Sequence, residues 1–326
     1  MNNSFVNKLF EQAGGDFNEK ALRAFAFQHE NNAVYRRFCD ALKIQMPSVN
    51  AASHIPFLPI GFFKSHKVTT TVFEPEAVFE SSGTSQTVQS RHLVKDLSIY
   101  RNSFMNAFEH FYGRPEEWCI LALLPSYLER TGSSLVLMAK ELIEAGRHPQ
   151  SGFYLHNKDE LFQQLKQLES RNQKTLLLGV TYALLDFADE YAIQCRSTVI
   201  METGGMKGKR EELTREEVHE QLKNSFGVKT IHSEYGMTEL LSQAYSKGNG
   251  IFETPPWMKV LVRDEDDPRL IKEQGRGAIN IIDLANVYSC SFIATDDVGE
   301  VYADGSFRIL GRIDNSDIRG CSLLAL

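Results

Sequence analysis

Ser81-Ser82-Gly83-Thr84-Ser85, directly after the run Ala77-Val78-Phe79-Glu80, is the first stretch whose residue types can do chemistry. Hydroxyl residues around a glycine let backbone N–H and side-chain O–H groups converge on phosphate oxygens, and Gly83 permits a close backbone approach. An exposed serine-rich turn has the same spelling. The Walker spacing is absent here, and Gly204-Gly205-Met206-Lys207-Gly208-Lys209 does not have it either. A second group of candidates follows short apolar runs: Pro125-Ser126-Tyr127, Thr181-Tyr182, Glu202-Thr203-Gly204-Gly205 and Glu234-Tyr235-Gly236-Met237-Thr238-Glu239. In the last of these an aromatic can face a flat base, a hydroxyl can face phosphate and a carboxylate can hold Mg²⁺. Glu239 would serve equally as the cap of a following helix. A third group is Thr295-Asp296-Asp297-Val298-Gly299, Asp304-Gly305 and Gly311-Arg312-Ile313-Asp314. Asp-Gly between apolar runs predicts a hairpin turn. Thr-Asp-Asp reads either as another turn or as a carboxylate for the vicinal hydroxyls of a ribose, with Arg312 reaching phosphate or sugar.

The elements that must position these residues are legible from periodicity. Up to about residue 50 the chain reads as helical, with Leu22, Phe25, Phe27, Val34, Phe38 and Leu42 among charged residues. His54–Val68 contains Pro56 and Pro59 and must be extended or irregular, its aromatics anchoring a connecting arm. From about Phe79, strands are expected over Trp118–Leu124, Lys174–Val180, Thr198–Met201 and Val228–His232. Helices are expected over Ser133–Ala145, Asp159–Glu169, Ala183–Gln194 and Arg210–Phe226, the last with Val218, Leu222 and Phe226 on one face. That alternation predicts a parallel sheet flanked by helices, and in such sheets ligands bind beyond the carboxyl ends of the strands. After about Gly248 the helical period gives way to short strand-like runs split by Gly, Asp and Pro. The expected organisation is 1–78, a helical segment and arm; 79–247, an α/β nucleotide- and acyl-binding core; and 248–326, a β-rich subdomain of distorted sheet or barrel.

The composition is that of a globular protein: 326 residues, 42% hydrophobic and 24% charged. A net charge of −7 argues against general binding to nucleic acid or an anionic membrane. No apolar run reaches the ~18 residues of a membrane span, and the amino terminus does not resemble a signal peptide. Five scattered cysteines form no C-x-x-C pair and no disulfide framework, and no histidine spacing suggests a metal site. A cytoplasmic protein is expected.

The order of these blocks resembles the adenylate-forming superfamily of acyl and aryl ligases. Ser81–Ser85 is similar to its phosphate loop, Gly204-Gly205 to its adenine-side glycines, and Tyr235-Gly236-Met237-Thr238-Glu239 to its Tyr-Gly-x-Thr-Glu motif. Thr295-Asp296-Asp297 is similar to its Thr-Gly-Asp, and Gly311-Arg312-x-Asp314 to its hinge. Within the superfamily the chain resembles the acyl-protein synthetases of bacterial luminescence, which supply fatty acyl groups to a partner reductase; the phenylacetate–CoA ligases are neighbours. The short length, the segment Ile55-Pro56…Pro59…Phe63-Lys64 and the tail Arg319-Gly320-Cys321-Ser322 carry that likeness.

The resemblance implies ATP and Mg²⁺ as cofactors, a fatty or other carboxylic acid as substrate, and an acyl-accepting reductase or carrier protein as partner. It implies phosphate contacts from Ser82, Thr84 and Thr238, Mg²⁺ on Glu239, adenine against Gly204, Gly205 and Tyr235, and ribose on Asp297 and Arg312. An acyl slot is expected near Tyr182 and Met206, with His232 either lining the site or structural, and Cys321 as acyl acceptor. The chain departs from the superfamily at Gln86, where a glycine is usual, and no lysine follows; Arg91 is the nearest cation in sequence. A mobile C-terminal lid domain is expected to be absent. The alternatives are a CoA ligase of the same superfamily and a non-catalytic nucleotide- or acyl-binding protein; a serine hydrolase is disfavoured because no G-x-S-x-G elbow occurs.

Overall fold

A computed structural model of the chain describes residues 9–10, 16–81, 88–124, 132–154, 157–204, 213–264 and 267–313. Two helices, α1 (Phe17–Asn31) and α2 (Ala33–Ala41), meet at Asn32, whose side chain caps α2 by accepting from the N–H groups of Val34 and Tyr35 at 3.1 and 2.9 Å. The same side chain donates to the Ser289 carbonyl at 2.9 Å. The arm that follows supplies a short edge strand, β1 (Leu58–Pro59), and one helical turn, α3 (Phe62–Ser65). Proline is tolerated in β1 because an edge strand need not donate on its open side.

Strands β2 (Ala77–Glu80) and β3 (Arg91–Val94) form an antiparallel ladder, followed by α4 (Leu97–Tyr112), which is capped by Asp96. The main sheet is then built by β4 (Cys119–Leu123), α5 (Ser134–Gly146), β5 (Gly152–Phe153), α6 (Lys158–Ser170), β6 (Thr175–Val180), α7 (Thr181–Glu190), β7 (Thr198–Thr203), α8 (Arg215–Phe226), β8 (His232–Tyr235) and β9 (Ala244–Ser246). Its order is β5-β4-β6-β7-β8-β9, parallel except for β9. Every residue of β4 and β6 is buried, as expected of strands covered on both faces.

The remaining strands, β10 (Met258–Arg263), β11 (Ile271–Lys272), β12 (Gly275–Asp283), β13 (Phe292–Val301) and β14 (Phe307–Arg312), form an antiparallel sheet. β1 joins it in parallel, with Leu58 opposite Ile293 and Pro59 opposite Ala294. Phe292 packs against Tyr35, Phe57 and Phe25 at centroid distances of 6.0, 6.2 and 6.3 Å, so the amino-terminal helices and the arm are tied to β13 by one aromatic cluster.

Four sequence expectations are corrected. The fourth core strand begins at His232 rather than Val228, because α8 ends on left-handed Gly227 and the next residues bring the chain back to the sheet. α8 begins at Arg215, where Thr214 and Glu217 form a capping box, instead of at Arg210, which lies outside the described residues. α7 starts at Thr181 and ends at Glu190, short of Gln194. Thr295-Asp296-Asp297 is not a turn: it runs straight through β13, with an irregularity of register at Val298/Gly299. The Asp304-Gly305 turn joins β13 to β14 as expected, with Gly305 at φ 84°.

Candidate active site

The segment after β8 is held in place by its backbone. A Cβ on Gly236 would lie 2.4 Å from Glu234 Oε1, so a larger residue there would push that carboxyl aside. The Thr238 carbonyl is 2.9 Å from His92 Nδ1 on β3, and the Glu239 carbonyl accepts from Asn286 Nδ2 at 2.7 Å. The N–H groups of Leu241 and Ser242 each donate to Asp283 Oδ2 at 2.9 Å, and Ser242 Oγ donates to Oδ1 at 2.6 Å. No helix follows Glu239, so its carboxylate caps nothing. The Glu239 side chain is 6% exposed. Burial raises its carboxyl above the usual range, against a hydrogen bond with Ser90 and the positive charges of Arg312 and Lys64.

Asp297 lies opposite Arg312 across the β13–β14 ladder, and Arg312 Nε donates to its Oδ1 at 3.0 Å. Its other oxygen accepts from the Tyr235 hydroxyl at 2.6 Å. This bond links the carboxyl end of β8 in the parallel sheet to β13 in the antiparallel one. The Tyr235 ring is fixed by Phe307 and Phe252 at 5.6 and 5.8 Å. Burial and the neighbouring Asp297 push its phenol well above the ordinary value, so it stays a donor.

The phosphate-loop candidate is described only at its root. Ser81 N–H donates to the Ser90 carbonyl at 3.1 Å and Ser81 Oγ accepts from Ser90 N–H at 2.9 Å, while Ser90 also meets Glu239. Ser82, Gly83, Thr84 and Ser85 lie outside the described residues, as do Gly205, Met206 and Cys321. Gly204 follows β7 with φ 71°, its carbonyl accepting from Thr181 Oγ1 at 3.1 Å. Tyr182 is buried in the first turn of α7, at the carboxyl end of β6. His232 stands apart. It begins β8, roughly 10 Å along the strand from Tyr235, with Nδ1 3.1 Å from the Tyr112 hydroxyl. Burial lowers its imidazole to about 4.

The sequence assigns no role to four residues near this site, although Glu202 and Glu234 fall in candidate loops and Lys64 in the arm segment. His92, buried, spans Thr238 and Ser289, with Nε2 2.8 Å from Ser289 Oγ. Glu202 and Glu234 are buried on adjacent strands. Burial works to raise Glu202, but His219 (3.6 Å away), Arg215 and Ser233 outweigh it and hold the carboxyl below the usual range. Glu234 accepts from Thr203 Oγ1 and is pushed up to about 7, chiefly by burial. The fourth residue is Lys64.

Residues 8–325 match the family model described as acyl-protein synthetase, LuxE. The chain belongs to the LuxE acyl-protein synthetase family. A long-chain-fatty-acid–luciferin-component ligase of Vibrio harveyi is 23% identical, over 92% of this chain and 84% of the relative. Among solved structures, ATP-bound MatB from Rhodopseudomonas palustris superposes with a TM-score of 0.53 at 18% identity, covering 72% of this chain and 48% of that one. The O-succinylbenzoate coenzyme A synthetase MenE of Bacillus subtilis, in complex with ATP and magnesium ion, gives 0.51 at 16% identity, covering 74% and 52%. The chain spans about half the length of these two structures. As a LuxE member it is an adenylate-forming ligase, and its fold is that of adenylate-forming enzymes. Among the described residues no helix is long and apolar enough to cross a membrane.

Proposed function

We propose that this member of the LuxE family activates a fatty acid with ATP and passes the acyl group through Cys321 to a partner protein. The observation that carries the reading is the junction of Tyr235, Asp297 and Arg312 beside the loop bearing Thr238 and Glu239. A substrate carboxylate oxygen attacks the α-phosphorus of ATP; that P–O bond forms, the bond to the β-phosphate bridge breaks, and pyrophosphate leaves. The protein has to hold two anions in line and neutralise the developing charge.

Among the described residues each Asp297 oxygen accepts one side-chain hydrogen bond, which leaves lone pairs for ribose hydroxyls. Thr238, with Ser82 and Thr84, donates to phosphoryl oxygens. Gly204, Gly205 and Tyr235 border adenine, and the acyl chain runs past Tyr182 and Met206. Among the described residues no three His, Cys, Asp or Glu side chains form a metal cluster. A single buried carboxylate suits Mg²⁺, which is commonly held by one or two carboxylates plus substrate phosphates. Glu239 would hold that ion, which would supply charge neutralisation at the phosphates.

The acyl acceptor is supported by elimination. Cys39, Cys119, Cys195 and Cys290 are buried, and burial raises their thiols to about 12, 11, 12 and 12. None is a ready nucleophile, which leaves Cys321 of the five cysteines. Its thiolate attacks the acyl carbonyl, the S–C bond forms and AMP leaves with the mixed-anhydride oxygen.

The test is pyrophosphate release over a series of carboxylic acids, followed by intact mass. Release that requires a fatty acid, with a mass gain of one acyl group that Cys321→Ala abolishes, is the expected result. Release with full turnover onto CoA in Cys321→Ser would move the acceptor to CoA, and ATP binding with no acid-dependent release would reduce the protein to a binder.

A further inference from the structure

The site as described has more buried carboxylate than committed positive charge. Glu239 and Asp297 are both buried. Arg312 is occupied by Asp297 at 3.0 Å. Arg91, nearest in sequence to the Ser81–Ser85 loop, is turned to Glu80 on its own ladder at 3.3 Å. A polyphosphate brought to Glu239 would meet two carboxylates with no free guanidinium from these elements, and an anion in such a setting needs cationic donors.

The arm supplies one. Ile60 N–H donates to the Ala294 carbonyl at 2.9 Å, extending the β1–β13 pairing and setting where α3 begins. α3 is closed by the N–H groups of Phe63 and Lys64 on the carbonyls of Ile60 and Gly61 at 3.1 and 3.0 Å. Phe63 is buried edge-on against the His92 ring, centroids 5.5 Å apart, and His92 holds the Thr238 carbonyl. The chain of contacts β13, α3, Phe63, His92, Thr238 therefore fixes residue 64 beside the Thr238–Glu239 loop. Glu239 feels the charge of Lys64, yet the two form no ion pair. The Lys64 side chain is exposed and enters none of the ion pairs among the described residues.

We propose that Lys64 is the phosphate-binding cation of this site, its ammonium donating to polyphosphate oxygens held over Glu239 and neutralising charge as pyrophosphate departs. A flexible lysine is a point charge with three donors and can follow a moving phosphate, which the committed Arg312 cannot. The inference rests on the acid-activation reading above, and its test separates the two.

In the full chain, binding of Mg·ATP and of AMP is measured by calorimetry, and acid-dependent pyrophosphate release by a coupled assay, for wild type, Lys64→Ala, Lys64→Arg and Arg91→Ala. Lys64→Ala is expected to lose about 10-fold in Mg·ATP affinity and about 100-fold in kcat for release, with AMP affinity within about twofold of wild type. Lys64→Arg recovers most of the affinity, and Arg91→Ala stays near wild type. Because Lys64 is exposed, the thermal midpoint of Lys64→Ala is expected to be unchanged. Equal Mg·ATP affinity and release in Lys64→Ala and wild type, or a loss confined to Arg91→Ala, would overturn the role of Lys64 and leave acid activation standing. If wild type releases no pyrophosphate with any acid, acid activation fails instead. Lys64 is then judged by Mg·ATP affinity alone, and an unchanged value in Lys64→Ala overturns it.

Discussion

Glu234 is the buried carboxyl beneath Gly236, close enough to Tyr100, Tyr112 and Tyr245 that its charge acts on all three phenols. Burial moves it from an ordinary 4.5 to about 7. Between those values the folded chain keeps a proton that the unfolded chain has released, so this group lowers stability as pH rises through the window. Glu234→Gln removes the ionisable group and keeps an acceptor for Thr203. The variant is expected to gain on wild type by up to about 3 kcal/mol above pH 7, the difference vanishing below about pH 4.5. Urea unfolding at pH 4.5, 6 and 8 reads it, and parallel pH profiles of the two proteins would count against a buried protonated Glu234. The neighbouring Glu202 differs because His219, Arg215 and Ser233 surround it: two glutamates on adjacent strands, separated in behaviour by their partners.

At the scale of elements, the β2–β3 ladder joins two candidate loops. Its open end is the root of the Ser82–Ser85 segment, and its second strand carries His92, which spans Thr238 and Ser289. Burial lowers the imidazole from 6.5 to about 4, so it is neutral near pH 7 and must take up a proton on unfolding in mild acid. The stability this group contributes is complete above about pH 6.5 and is lost as pH falls toward 4. His232 has the same shift, so the two share the acid limb of the stability curve. His92→Ala leaves a buried carbonyl and a hydroxyl without this partner and is expected to cost about 2 to 4 kcal/mol at pH 7, with a shallower acid limb than wild type. His92→Gln, which can still donate to Thr238, is expected to recover part of the loss. Denaturant titrations at pH 7.5 and 5 decide between this staple and a ring that merely fills space, for which Leu would serve as well as Gln.

The whole molecule depends on contacts distant in sequence between its amino-terminal helices and the residues before β13. Gln28 donates to the carbonyls of Asn286 and Val287 at 3.0 and 3.1 Å and accepts from Ser291 N–H at 2.9 Å, all buried. Asn32 adds the Ser289 carbonyl. Asn286, held in the same cluster, grips the Glu239 carbonyl. The first helix is thus coupled to the site through one buried amide network. Gln28→Ala is expected to cost about 3 kcal/mol or more, since several buried backbone groups lose their partner together. It should also raise the KM for ATP, because Asn286 and then Glu239 lose their support. A stability loss with unchanged KM would separate the helices from the site.

The elements were legible because their causes are local. Leu161, Leu165 and Leu168 repeat at helical spacing, β4 is an unbroken apolar run and β6 one after Thr175, and Gly305 supplies the positive φ that a tight Asp-Gly turn needs. The motif loops were legible because glycine, hydroxyl and carboxylate types cluster at strand ends. Sequence alone did not reveal that β8 begins at His232, since a strand carrying Ser233 and Glu234 is buried only where Thr203 and His219 arrive from other elements. Nor could it show what Asp297 meets, because Tyr235 and Arg312 reach it from other strands. It named Arg91 as the nearest cation, whereas tertiary structure paired Arg91 with Glu80 and set Lys64 where its charge acts on Glu239. Periodicity and turn chemistry act over a few residues and are written in order along the chain. Which charge meets which is decided only when distant segments come together in the fold, and no local pattern records that meeting.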